Sequence, residues 1–369
     1  MFENGSITRK TSLHSITHNP TNMFLLYGAN GYTGELIIQE ALRKGLSPIL
    51  AGRNEAKIQA LGTKYNLPFA VFDLSETAKL EAVLADVPLV LHCAGPFMYT
   101  AKPMMEACIR LNKHYLDITG EISVFETAAA MGERAAAAGS MLMPGVGFDV
   151  VPTDCMAVYL KNLLPTATDL RLAFAGLGAG LSHGTATTMV ENLHEGGAIR
   201  KDGKLEKVNA AYKSGMIPFP TKPLMAMTIP WGDLATAWRS TGIPNIETWM
   251  AAHPKQVSFS KKSNYLKWFF KLRFVKDYLI KQIKKKPAGP NAEKRAASSM
   301  EIWGEATDRN TGKTVSGSLQ TPEGYNLTAL CAVLIVQKVL NGQFQAGFRT
   351  PAQQYGADLI MEIPDVVRK

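Results

Sequence analysis

From Met23 onward, short runs of consecutive apolar residues alternate with stretches in which apolar positions recur every three to four residues. Uninterrupted apolar runs suit strands buried on both faces, and the longer period suits helices that cover a sheet. Strands are expected at 23–27, 48–51, 69–72, 89–93, 114–118 and 141–143. Helices are expected at 33–44, 55–65, 78–85, 103–111 and 123–138, the first closed by Gly45 as a C-terminal cap. Six such units before residue 150 predict a parallel, doubly wound α/β sheet of the Rossmann kind. Residues 1–22 are polar and rich in Ser, Thr and Asn, so they are expected to be a disordered tail, with the ordered fold starting near Met23.

A different pattern runs from Tyr265 to Ile283. Tyr265, Trp268, Phe269, Leu272, Val275, Leu279 and Ile283 recur at helical spacing, with Lys267, Lys271, Lys281 and Lys284 mainly on other faces. Pro287 and Pro290 end the element. Two readings stay open. The helix packs its apolar face on the second domain and leaves a solvated lysine face, or it lies in an anionic membrane interface.

Length and composition narrow the class. A chain of 369 residues with 46% hydrophobic and 19% charged residues suits two folded domains rather than a disordered protein. The net charge of +9 resembles a nucleic-acid signal until it is located. Residues 255–286 hold eleven Lys/Arg and one Asp; removing them from 40 basic and 31 acidic residues leaves 29 and 30. The basic character belongs to one segment, so nucleic acid is not an expected partner. The four cysteines form no C-x-x-C pair and read as reduced, buried thiols. No secretory apolar segment follows the N-terminus, and no apolar run approaches the ~18–20 residues of a membrane span. The expected location is cytoplasmic, with peripheral attachment to a membrane surface open through 255–286.

The chemistry starts at Gly28-Ala29-Asn30-Gly31-Tyr32-Thr33-Gly34, which follows the first strand and opens the first helix. Small residues there let backbone approach a pyrophosphate, and the helix start supplies N–H donors. The alternative is a tight turn that needs glycine only for positive φ. An NAD site usually places Asp or Glu at the tip of the second strand, whereas this chain has Arg53 after Ala51-Gly52. A guanidinium there suits the 2′-phosphate of NADP(H). Asp73, after the third strand, is a candidate adenine contact or a helix cap.

Four further segments carry a family resemblance. They are His92-Cys93-Ala94-Gly95-Pro96-Phe97; His114-Tyr115-Leu116-Asp117-Ile118-Thr119-Gly120-Glu121; Gly145 to Asp154 (GVGFDVVPTD); and Pro322-Glu323-Gly324-Tyr325. With the glycine turn, they make the chain resemble the saccharopine dehydrogenase-like oxidoreductases, in the branch with the trans-acting enoyl reductases. The resemblance covers about 23–360. It implies an NADP-binding Rossmann domain at 23–150 and a second α+β domain with a mixed or antiparallel sheet at 151–322. It also implies a C-terminal helix and tail, 323–369, that return to the first domain. By the matching positions, Ala94, Gly95, Pro96 and Phe97 join Gly28, Asn30, Gly31, Tyr32, Thr33, Gly34, Arg53 and Asp73 as cofactor contacts. Departures fall where the substrate would sit. Thr100 replaces a frequent Gly after Tyr99, and Ser182-His183-Gly184-Thr185 replaces Ser-Gly-Gly-Thr.

Rival chemistries lack their residues. No tyrosine is followed four residues later by Lys, which removes the proton donor of extended short-chain dehydrogenases. No His-Glu-x-x-His occurs, so a metal is not expected. What remains is hydride transfer by NADP(H), with the protein orienting a small-molecule acceptor and supplying a proton. Tyr99, Asp117, Glu121 and His183 are the candidates for that proton. Lys102, Tyr115 and Asp149 lie near the same crevice; Asp149 and Asp154 also suit caps of a helix beginning near Pro152, and Tyr115 suits packing within its strand. The expected substrate is a hydrophobic or acyl C=C compound first and a C=N compound second. The alternative is a non-catalytic NADP(H)-binding protein at membrane or lipid surfaces. A homodimer is left open.

Overall fold

The structure is a computed structural model that describes residues 22–178 and 180–369. The tail expected at 1–22 lies, except for Asn22, outside the described residues. The first unit runs β1 (Met23–Tyr27), α1 (Tyr32–Arg43), β2 (Ser47–Gly52), α2 (Glu55–Tyr65), β3 (Phe69–Val71), α3 (Thr77–Ala85), β4 (Leu89–His92), α4 (Phe97–Arg110), β5 (His114–Asp117), α5 (Ile122–Ala130), α6 (Gly132–Ala137) and β6 (Met141–Met143). Its strands are all parallel, in the order β6-β5-β4-β1-β2-β3, with helices on both faces. The central strands are apolar because both faces are covered: all four residues of β4 are buried. Strand order reverses beside β1, between β2 and β4, which opens a crevice at the carboxyl ends of those strands.

The second unit runs α7 (Val151–Leu163), β7 (Asp169–Leu177), α8 (His183–Asn192), β8 (Gly197–Lys201), β9 (Lys204–Val208), β10 (Ser214–Pro218), β11 (Pro223–Thr228), α9 (Asp233–Thr241), β12 (Asn245–Ala251), α10 (Pro254–Ser263), α11 (Lys267–Phe270), α12 (Arg273–Ile283), α13 (Ala292–Ala296), β13 (Ser299–Thr307) and β14 (Thr314–Pro322). Its sheet is mixed: β12 and β7 are parallel, and the neighbouring pairs are antiparallel. The chain then returns as α14 (Gly324–Leu340), β15 (Gly347–Phe348), α15 (Pro351–Tyr355) and β16 (Val367–Arg368). Glu323 starts α14 by accepting from Tyr325 N and Asn326 N at 2.9 and 3.0 Å. The helix is apolar on nearly every face because it is buried between α1 and β14. β15 extends the first sheet beside β6, and β16 extends the second beside β14.

Three sequence expectations need correction. α4 begins at Phe97, not at Pro103, and carries Pro103 in its interior. The helix expected at 123–138 is two helices that meet at Met131–Gly132. The single helix expected from Tyr265 to Ile283 is broken. Leu272 takes an extended conformation between α11 and α12, with φ −66° and ψ 125°.

Candidate cofactor and proton-transfer site

The glycine turn is held by close approach. Gly28 has φ +86°, and a Cβ there would stand 2.7 Å from Ala94 N. A Cβ on Gly34 would stand 2.6 Å from Gly28 O, so the helix can start this close to the strand only with glycine. Gly31 caps α1, and among the described residues no side chain caps its first turn. Those donors are available to an anion, as the sequence pattern requires. Arg53 is exposed at the tip of β2, near enough to Tyr27 and Asp73 for its charge to act on both. Asn30 Oδ1 lies against Gly52, where a Cβ would approach it to 2.9 Å. This surface fits a phosphorylated adenosine: backbone donors for the pyrophosphate and a guanidinium for the 2′-phosphate. Asp73 forms a turn of its own, accepting from Ser75 N at 3.0 Å and Ser75 Oγ at 2.8 Å. Those bonds, with Arg53 beside it, hold its carboxyl below the usual range.

Tyr32 and Thr33 open α1, but the Tyr32 ring faces the second domain. Its hydroxyl donates to Pro290 O at 2.5 Å and accepts from Arg295 Nη1 at 2.9 Å. The ring meets Tyr325 edge-on at 5.0 Å. Tyr325 in turn accepts from Ser182 N at 2.5 Å and pairs with Thr185 Oγ1 at 3.2 Å. Residues 286–296 therefore form a strap fastened to the glycine turn. His183 belongs to this fastening: its Nε2 bonds to Lys286 O at 2.7 Å and its N–H donates to Ala288 O. Its Nε2 is taken up in that contact.

Across the crevice, Gly95 is exposed at the end of β4, and Phe97 turns its ring inward onto His92 at 5.4 Å. The Phe97 ring also lies beside Gly95, where a Cβ would meet it at 3.4 Å. Glu121 accepts from Phe97 N and Met98 N, each at 2.8 Å, and so caps α4 from another loop. That bond explains why α4 starts six residues early. Thr100 donates to Ala94 O at 2.7 Å and pairs with His92 Nε2 at 2.9 Å. The expected departure at Thr100 thus replaces a glycine with a hydroxyl that ties the β4 loop, while burial pushes His92 down to about 3 and keeps it neutral. Tyr99 is 59% exposed on the outer side of α4.

Asp117 is a structural knot. It is fully buried and accepts from Tyr115 Oη, Thr119 N and Gly145 N at 2.6, 2.9 and 2.9 Å. Burial pushes its carboxyl up to about 7 despite those donors. Asp149 differs. It does not cap α7, whose cap is Val150. Its carboxylate lies against Gly120, where a Cβ would meet Oδ2 at 2.9 Å, and has no hydrogen-bond partner among the described residues. Burial, then the negative charge of Glu121, push it up to about 7. Phe148 meets Phe174 edge-on and Phe174 meets Trp231 at a tilt, with centroids 5.5 and 5.1 Å apart, and Trp231 Nε1 donates to Asp149 O at 2.8 Å. In the sequence Asp149 reads equally as a crevice residue and as a helix cap, because which neighbours its side chain lacks has no local signature.

Residues 24–143 match the family described as the saccharopine dehydrogenase NADP binding domain. The first domain is a saccharopine dehydrogenase NADP-binding domain. Its cofactor is NADP(H), in agreement with Arg53 and the open N–H groups of α1. The chain is 26% identical over 202 residues to the mouse saccharopine dehydrogenase-like oxidoreductase, covering 48% of this chain and 47% of that protein. It is 33% identical over 138 residues to the trans-acting enoyl reductase of Mycobacterium leprae, covering 35% and 33%. The matches thus span about half the length of the first relative and a third of the second. The solved saccharopine dehydrogenase (L-Glu forming) of Saccharomyces cerevisiae superposes with a TM-score of 0.66 at 14% identity, covering 94% of this chain and 99% of that one. The saccharopine dehydrogenase fold therefore extends through the second, mixed-sheet domain.

Proposed function

We propose that the protein is an NADPH-dependent reductase of an apolar, acyl-like C=C substrate, with Asp149 as the proton donor. The observation that carries this is the unpartnered Asp149 carboxyl, set between Gly120, Glu121 and the wall of Phe148, Phe174 and Trp231. Bound NADPH supplies a hydride to one carbon of the double bond. A protonated Asp149 carboxyl holds the proton for the neighbouring carbon, and the carboxylate left behind regains it from water. Glu121 does not share this role, because both its oxygens are committed to the start of α4. The aromatic wall excludes water and favours an apolar chain. A substrate with several carboxylates is disfavoured. Arg171, Arg200, Arg239 and Arg309 are each paired with a carboxylate of the protein itself. Reduction of a C=N bond is the second reading, since the same donor would protonate nitrogen.

The test is NADPH oxidation, followed by absorbance, with matched enoyl esters and imines. Enoyl turnover should fall about tenfold per pH unit above pH ~7, as the Asp149 proton is lost. Asp149→Asn should lower kcat by about 10²–10⁴-fold while leaving the NADPH Kd unchanged. Full activity of Asp149→Asn with an unaltered pH profile would remove Asp149 from the chemistry. Tight NADPH binding with no turnover across the panel would favour the non-catalytic alternative.

A further inference from the structure

Residues 259–278 expose an unusual amount of large apolar surface. Phe259, Tyr265, Trp268, Phe274 and Tyr278 are 58, 84, 66, 68 and 62% exposed. They come from α10, α11, α12 and the turn between the first two, and the aromatic residues of the expected 265–283 helix at 265, 268, 274 and 278 are exposed rather than packed on the domain. Phe274 and Tyr278 stand four residues apart on α12, outside the face that buries Val275. Single exposed apolar residues are ordinary, but five exposed aromatic residues within one twenty-residue stretch mark a candidate interaction surface.

The charge around the group indicates what covers it. Lys262, Lys271, Lys281, Lys284, Lys285 and Lys286 are all exposed, and none makes an ion pair among the described residues. Two other cations of the segment are taken: Lys276 pairs with Glu191 at 3.1 Å and Arg273 with Asp277 at 3.1 Å. Lys276 fixes α12 on α8, so the element is held to the body of the protein from its inner side. A second copy of this chain would bring the same positive charge to the same patch, which disfavours self-association. A protein partner would need acidic charge and an apolar groove together. An anionic lipid surface offers both at once, headgroup charge for the lysines and an interfacial layer for Tyr and Trp. Among the described residues no helix is long and apolar enough to cross a membrane, so attachment would be peripheral.

We propose that residues 255–286 form a docking surface for an anionic membrane, with the exposed aromatic side chains inserted at the headgroup level and the lysines above them. Membrane docking and hydride transfer are separate claims, and each experiment can fail without the other. The test is vesicle flotation of the full chain with phosphatidylcholine alone or with about one-third phosphatidylserine. Binding is expected to the phosphatidylserine vesicles, to weaken as salt rises toward about 0.5 M, and to be at least about tenfold weaker without the anionic lipid. Lys281→Ala, Lys284→Ala and Lys285→Ala combined should weaken it on the order of a hundredfold. Trp268→Ser, Phe274→Ser and Tyr278→Ser combined should weaken the salt-resistant part. NADPH affinity and thermal midpoint should stay unchanged in both variants, which separates lost docking from lost folding. Absence of binding, or equal binding to both vesicles, would overturn the proposal. So would an aromatic variant that converts a dimer to a monomer while the parent ignores vesicles, because the patch would then be an interface between copies.

Discussion

At the scale of single residues, function follows from what a side chain lacks. Asp117 and Asp149 are both carboxyls pushed up to about 7, yet one has three donors and the other none. The first secures a loop, and the second has no hydrogen-bond partner among the described residues. Asp149 also carries a stability consequence. Its carboxyl ionises near 7 in the fold but near ~4 in an unfolded chain. Between those values the folded state binds more protons, so the contribution is full below pH ~4 and is lost as pH rises through about 7. Asp149→Asn should therefore raise the thermal midpoint by a few degrees at pH 8 and by less at pH 5, in melting curves followed by circular dichroism. A gain of equal size at both pH values would show that Asp149 is not ionising within the fold. Arg53, exposed at the tip of β2, is placed to meet a 2′-phosphate. Arg53→Ala should weaken NADPH by about 10–100-fold in calorimetry and leave NADH nearly unchanged.

At the scale of elements, the ends are set from a distance. α4 contains Pro103, whose missing N–H and ring favour a break, and the sequence accordingly suggests a helix starting there. The carboxylate of Glu121, 24 residues downstream of Phe97, supplies the N-terminal bonds that extend it. Glu121→Ala should cost about 0.5–2 kcal/mol in urea denaturation and raise hydrogen exchange at 97–100 before the rest of the helix. Unchanged exchange there would mean that the helix start is held by other contacts. The strap is similar. Tyr32 is legible as part of a cofactor turn, but its partners Pro290 and Arg295 lie some 260 residues away. Arg295→Ala should loosen 286–296, seen as faster exchange there, while α1 keeps its protection. Strands and helices of the first domain were legible because local periodicity reflects burial on both faces. The broken element at 264–272 was not, since apolar residues at helical spacing look alike whether they are buried or exposed.

At the scale of the whole molecule, the chain laces two sheets together. It builds the first sheet, then the second, and its last part contributes β15 to the former and β16 to the latter. α14 is the largest piece of that return, and Ile335 and Val336 are fully buried within it. Ile335→Ala should cost about 2–5 kcal/mol, read as a lower urea midpoint. Because α14 packs against α1 and β14, both sheets should lose structure in one transition; two separate transitions would show that the domains fold independently.

The amino-acid sequence by itself determined the alternating first domain, the glycine turn, the guanidinium at Arg53 and the confinement of positive charge to one segment. Each of these is local, set by periodicity, by the absence of a Cβ or by the position of a charge along the chain. Tertiary structure alone decided that Glu121 caps another helix, that His183 is tied to the strap, that Asp149 has no partner and that the aromatic residues of 259–278 face outward. Those outcomes depend on which groups meet across long separations in the chain, and hydrogen-bond satisfaction and exposure have no local signature.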